Sequence, residues 1–323
     1  MLSPIIFKPL RSSLIWVNPS NSTTGSIDNE VCRYRPIPPA DVIDKKGGKC
    51  TIFVTILHCG HFSKGDLLLK IAISGKGGVG KTTLAGVMAR IFAQRGKKVL
   101  AIDADPDANL ASALGFPEEK VKKLSPLASM TPLVEERTGA KKGTIGAMFK
   151  LNPRVDDIPD EFGVSFQGVK LLLLGCIPQG GGGCFCPENV LLKGLMRHLF
   201  VGRDEVVIVD MEAGLEHLGR GSTEYVDALI VVVEPGLRSI GTTKRVRKLA
   251  ADLGVKRVLI VGNKITTEDD RKIIEEHLSD FEIIGYLSFN PKILEADRQG
   301  VSVYDIDDRI KGEVAEIIER IEA

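Results

Sequence analysis

The sequence predicts an α/β fold over residues 68–323, a mostly parallel sheet with helices on both faces. Three observations carry that expectation. Short β-branched or leucine-rich runs alternate with segments of helical period, the pattern of strands buried on both sides between crossover helices. A glycine-rich stretch falls between one such run and an amphipathic helix. Several of the runs end in aspartate, at the edge where the loops of an open sheet collect ligands.

The expected strands cover residues 71–74, 99–103, 170–174, 206–210, 229–234, 258–262 and 283–287. Between the first two, Leu84, Val87, Met88, Ile91 and Phe92 recur at helical spacing, and Gly96 follows as a stop. This is a strand, loop, helix, strand unit. No internal repeat is visible, which argues against a duplicated fold.

Residues 1–67 read differently. They hold the only tryptophan, Trp16, a Pro-Ser-Asn-Thr-rich stretch and three scattered cysteines, and Pro36, Pro38 and Pro39 punctuate them again. Only 51–57 looks strand-like. The expectation is a non-native or disordered extension: Lys64-Gly65-Asp66 can be encoded by a purine-rich stretch resembling a ribosome-binding site, with a leucine start codon just beyond. The alternative is a genuine extension binding zinc through Cys50, His58, Cys59 and His61, although that spacing fits no common zinc site. The intact mass from the native host separates the two.

Bulk composition excludes several classes. Forty-three lysines and arginines nearly cancel 42 aspartates and glutamates, so no global field draws nucleic acid or an anionic membrane. The local basic patch, Lys244, Arg245, Arg247 and Lys248, reads as a solvated helix face. No run approaches the roughly 18 apolar residues of a membrane span, and early prolines break any signal-type core. A cytoplasmic location follows, with six cysteines that serve as buried thiols or metal ligands rather than disulfides.

Gly75-Lys76-Gly77-Gly78-Val79-Gly80-Lys81-Thr82 matches a phosphate-binding P-loop in the right context. Its glycines let backbone N–H groups point at phosphates, aided by the helix N-terminus. Lys81 is expected to reach the β and γ phosphates of ATP, and Thr82, followed by Thr83, to hold Mg²⁺. Asp103 and Asp105 end the second strand and emerge beside the loop. Asp210 ends another buried strand with Gly214 four residues on, resembling a Walker B aspartate and a γ-phosphate-sensing glycine.

Lys76, a second lysine in the loop, is the mark of the deviant Walker A group, to which the nitrogenase iron protein and the MinD, ParA, ArsA and Mrp ATPases belong. The resemblance implies a lysine that crosses a dimer to touch the partner's phosphates, with Asp105 orienting the attacking water and Asp103 near Mg²⁺. Asn263 resembles the group's adenine-reading asparagine; its plainer reading is a turn residue at a strand end.

Cys184-Phe185-Cys186 follows a glycine run and precedes Pro187-Glu188-Asn189 and a helical stretch over 190–200. Pro187 suits the first helical position. Thiols near a helix N-terminus are acidified, which favours the thiolate that binds metals, although CxC alone is a weak signal. Here the chain closely resembles the CooC-type maturation ATPases of nickel-containing carbon monoxide dehydrogenase and acetyl-CoA synthase. The resemblance runs from Leu69 to the end. It rests on the P-loop, on 103–109 and 149–153, and most specifically on 184–189 and 210–221.

The resemblance implies a homodimer whose paired CxC motifs bind Ni²⁺ or Zn²⁺ between subunits and whose ATP cycle supports nickel delivery. Two thiolates fill half of a four-coordinate shell, so one metal per dimer is expected. His217 and Cys176 are lesser candidates as extra ligands. The rivals are an iron-sulfur carrier, whose family places its cluster cysteines far apart, and a MinD- or ParA-like positioning protein. Against the latter, the helix expected over 308–321 carries Glu313, Glu316 and Glu319 around its apolar stripe, which an anionic membrane repels.

Overall fold

The chain divides into two units, Met1–Leu67 and Leu68–Ala323. A computed structural model describes residues 69–140, 150, 152–175, 187–202, 205–212 and 226–323, together with five short strands in the first unit. In that unit Thr55–His58 pairs antiparallel with Leu14–Trp16 and with Arg33–Pro36, while Ala40–Ile43 pairs with Lys49–Ile52. The single strand expected over 51–57 is therefore two strands in different sheets.

The second unit is built on an eight-stranded sheet. Its strands are β1 (Lys70–Gly75), β2 (Val99–Ala104), β3 (Val164–Phe166), β4 (Val169–Leu173), β5 (Val206–Met211), β6 (Ala228–Val233), β7 (Val258–Ile265) and β8 (Glu282–Ser288). They lie in the order β8-β7-β6-β1-β5-β2-β4-β3, and only β3 runs antiparallel to its neighbour. Each of the seven expected strands is present. β3 was not expected: three edge residues show no period, and its hairpin turns on Gln167 and Gly168, both at positive φ, rather than on a more familiar Asn-Gly pair.

Every residue of β1, β2, β5 and β6 is buried, because helices cover both faces of the sheet. The polar residues inside these strands cluster at their ends. Lys70 opens β1 and donates from Nζ to the Glu205 carbonyl at 2.6 Å, whereas Ser74, Asp103 and Asp210 lie towards the opposite edge. One face packs α1 (Lys81–Gln94) and the C-terminal helix; the other packs α2 (Pro187–Gly202), α3 (Leu237–Leu253) and α4 (Glu268–His277).

In α1, Leu84, Val87, Met88, Ile91 and Phe92 are all buried, as their spacing requires. Gly96, at φ 77°, ends the helix by turning its N–H back to the Ala93 carbonyl. Pro187 is the first residue of α2, as expected. The C-terminal helix α5 (Asp308–Glu322) buries Ile310, Val314, Ile317, Ile318 and Ile321 in the core. At about 1.5–3 kcal/mol per side chain, that burial commits the apolar stripe to the sheet and leaves none of it for a membrane. Among the described residues no helix is long and apolar enough to cross one.

Candidate functional site

The parallel strands β1, β2, β5, β6 and β7 end at one edge, and each delivers a polar group there. β1 runs straight into the P-loop. Gly75 turns the chain at φ 150°, Gly80 at φ 99°, and Lys81 opens α1. Val79 is fully buried beneath the loop, while Gly77 and Gly78 stand exposed at its crown with Lys76 half-buried beside them. Thr83 follows Thr82 in the first turn of α1, and both are half-buried.

The loop's cationic and anionic partners are already assembled. Lys81 is buried and its ammonium lies 3.5 Å from Asp105. Thr82 donates its hydroxyl to Asp210 Oδ2 at 2.6 Å. The other oxygen, Asp210 Oδ1, is buried without a hydrogen-bond partner. Burial pushes the Asp210 carboxyl up to about 7, against the lowering effect of the Thr82 hydroxyl. Asp103 is likewise raised by burial, to about 6, although backbone N–H groups of Leu110 and Asp105 donate to its two oxygens. Those two bonds make Asp103 the organiser of the loop from 103 to 110.

β7 contributes from the opposite side. Asn263 donates its amide to the Val79 carbonyl at 2.7 Å and accepts the Lys264 N–H on Oδ1, also at 2.7 Å. In this structure it buttresses the P-loop, a role that strand-end turn chemistry did not suggest. Lys264 sits in the left-handed region, at φ 60°. Its ammonium donates to the Gly78 carbonyl at 2.8 Å and pairs with Glu234 at 3.1 Å. Glu234, immediately past β6, also holds Lys76 at 3.2 Å. Burial pushes the Glu234 carboxyl up, but the ammonium groups of Lys264 and Lys76 outweigh it and hold it below the usual range.

Sequence reasoning thus located Gly75, Lys76, Gly77, Gly78, Val79, Gly80, Lys81, Thr82, Asp103, Asp105, Asp210 and Asn263, and the structure brings them to one edge. It missed Glu234 and Lys264. The available signal was a carboxylate and a lysine near the ends of the two strands that follow one another on one side of the P-loop strand. Gly214 and His217 lie outside the described residues, as do Cys176, Cys184 and Cys186. Among the described residues no cluster of three metal-ligating side chains occurs. The basic patch on α3 is exposed, and Arg247 pairs with Asp280 and stacks over Phe281 at 4.4 Å, as a solvated helix face does.

Comparison with known proteins agrees with this geometry. Residues 70–303 match the CobQ/CobB/MinD/ParA nucleotide-binding domain. The chain is 47% identical over 257 residues to the carbon monoxide dehydrogenase accessory protein CooC of Rhodospirillum rubrum, covering 78% of this chain and 97% of that one. An ATP-binding protein of Methanocaldococcus jannaschii is 44% identical over 256 residues, with 78% and 97% covered. Among solved structures, the MinC:MinD cell division complex of Aquifex aeolicus superposes with a TM-score of 0.55 at 22% identity, covering 78% of this chain and 94% of that one. A ParA family ATPase of Chlorobium tepidum gives 0.56 at 18% identity, covering 80% and 98%. These two show a shared fold.

Proposed function

Since the chain belongs to the CobQ/CobB/MinD/ParA nucleotide-binding family and to the CooC-type group within it, we propose that it hydrolyses ATP to deliver nickel to carbon monoxide dehydrogenase or acetyl-CoA synthase. The single observation that supports this most is 47% identity to a carbon monoxide dehydrogenase accessory protein over an alignment that covers 97% of that relative's length. The site chemistry agrees with ATP as substrate. Backbone N–H groups of the loop and the α1 N-terminus receive the phosphates, Lys81 neutralises the β and γ groups, and Asp105 orients the attacking water.

Mg²⁺ fits the site. Two buried carboxyls raised by desolvation, one with an unpartnered oxygen, are what a bound cation stabilises. Thr82 and Asp210 are the residues that would hold it, and bound there it offsets phosphate charge. Thr82 Oγ lies on Asp210 Oδ2 at 2.6 Å, which brings the two together as one cation would need them.

Nickel is cargo in this reading. Cys184 and Cys186, which precede Pro187 in the sequence, join the same pair from a second copy to make a four-thiolate site for Ni²⁺ or Zn²⁺, and Lys76 reaches the second copy's nucleotide. Function as a cytoplasmic homodimer follows. A membrane-positioning role is the weaker reading, because the apolar stripe of α5 is consumed by the core. The deciding experiment titrates Ni²⁺ and Zn²⁺ into wild type and a Cys184→Ser/Cys186→Ser variant while following oligomeric state. One metal per two chains is expected. One metal per chain, or unchanged binding in the variant, sinks the shared site.

A further inference from the structure

Three adjacent strands carry, at their ends, two ammonium groups bonded to one carboxylate. β1, β6 and β7 are neighbours in register, with Val232 opposite Gly75 and Val233 opposite Gly262. Just past these pairs come Lys76, Glu234 and Lys264. One oxygen of Glu234 takes Lys76 at 3.2 Å and the other takes Lys264 at 3.1 Å. The carboxylate is thus shared between two ammonium groups.

The two lysines are not equivalent. Lys264 is anchored: its backbone is held in the left-handed region, which a non-glycine residue occupies at a cost, its N–H is fixed to Asn263, and its ammonium also grips the Gly78 carbonyl. Lys76 sits beside the exposed crown of the loop; the two side chains are about equally exposed, 38% for Lys76 and 42% for Lys264, so the difference lies in the second acceptor, the Gly78 carbonyl, that only Lys264 holds of the two. Of the two, Lys76 is the one free to change acceptor while Glu234 keeps its countercharge.

We propose that Glu234 is a positioning residue that parks Lys76 on its own subunit, so that Lys76 exchanges between this carboxylate and a triphosphate, with Lys264 remaining to neutralise Glu234. The inference rests on the reading that Lys76 serves the phosphates of a second copy. Its energetic logic is competition. A half-exposed ion pair is a weak hold, so it opposes closure without preventing it, and a dianionic terminal phosphate outbids a single carboxylate. Nucleotide-free chains are thereby kept apart, and the terminal phosphate supplies the acceptor that releases the lysine.

The test has two arms. In the first, monomer–dimer constants are measured by sedimentation with a slowly hydrolysed ATP analogue. Glu234→Gln raises the dimer constant about 2- to 30-fold, because a contact worth about 1.4- to 5-fold is lost in each of two chains. Lys264→Asn, which tolerates the left-handed backbone, removes the competing ammonium, tightens the hold on Lys76 and lowers the constant. In a Lys76→Ala background neither change has an effect. Equal effects with and without Lys76, or the same direction of change in both variants, would overturn the proposal.

The second arm needs no dimer. An amine-reactive N-hydroxysuccinimide ester is applied to the nucleotide-free chain and peptide masses are read. Labelling of Lys76 rises in Glu234→Gln and falls in Lys264→Asn, relative to the other surface lysines. Unchanged Lys76 labelling overturns the parking role whatever the oligomeric state. A wild type that stays monomeric with the analogue, yet shows the labelling shifts, refutes the dimer reading and leaves the Glu234 contact established.

Discussion

Gly75→Ala tests the strand-to-loop junction on which the site hangs. Gly75 is at φ 150°, and a Cβ there would lie 2.5 Å from the Val232 carbonyl oxygen. That oxygen belongs to the backbone of β6, paired in register with Gly75, so it cannot swing away as a side chain would. A conformation reserved for glycine costs about 1–3 kcal/mol. The forced displacement of β6 adds about 1–3 kcal/mol. At roughly 2–4 °C per kcal/mol for a domain of this size, the melting midpoint falls by roughly 5–20 °C.

Gly77 provides the internal control. It lies two residues further into the same loop, yet nothing lies within 4 Å of its Cβ position and its φ is not positive. Gly77→Ala therefore shifts stability by no more than about 0.5 kcal/mol, or about 2 °C. The assay is calorimetric melting of both variants without nucleotide or Mg²⁺, so that lost ligand binding does not enter. Equal midpoints for the two would refute the reasoning.

Three further predictions rest on separate contacts. Asp210→Asn removes a buried, half-unpartnered carboxylate: at pH 8 without Mg²⁺ and nucleotide the midpoint holds or rises, while Mg²⁺-dependent ATP hydrolysis drops at least about tenfold; a large fall in midpoint would make the carboxylate structural. Asp270 is held at about 2 by the Thr266 hydroxyl first, then by the Thr266 and Thr267 N–H groups, in the capping box of α4. A depressed carboxyl stabilises above its unfolded value and loses that contribution as pH falls from about 4 through 2, so Asp270→Asn flattens that part of an acid titration of stability, and a superimposable wild-type curve contradicts the cap. Asn263→Ala strands the buried Val79 carbonyl and frees the Lys264 N–H; a loss of about 1–3 kcal/mol is expected by denaturant titration, and no loss means that water replaces the amide.

The central strands and α1 were legible because burial on both faces demands near-continuous apolar runs, and one-sided burial demands helical spacing. β3 was not, since a three-residue edge strand offers no period. The P-loop was legible as a local motif with a single geometry. Glu234 and Lys264 were not, because their meaning depends on β6 lying beside β1 and β7 lying next beyond β6, and strand order is a long-range property that spacing does not encode. Asn263 was visible as a polar residue at a strand end, but its grip on Val79 across the sheet edge was not. The cysteine pair at 184 and 186 shows the converse: a sequence signal read through family resemblance, in residues outside those described.

Ser74, one residue before the P-loop, donates its hydroxyl to the carbonyl of Glu212 at 2.8 Å. Glu212 is the first residue past β5, and the segment containing Gly214 begins just beyond it. The bond clamps the root of that segment to the root of the phosphate loop. The side-chain bond thus carries the tie between β1 and β5 beyond the last backbone register pair, Ile73 opposite Asp210, and Ser74→Ala would remove that tie while leaving the ladder intact.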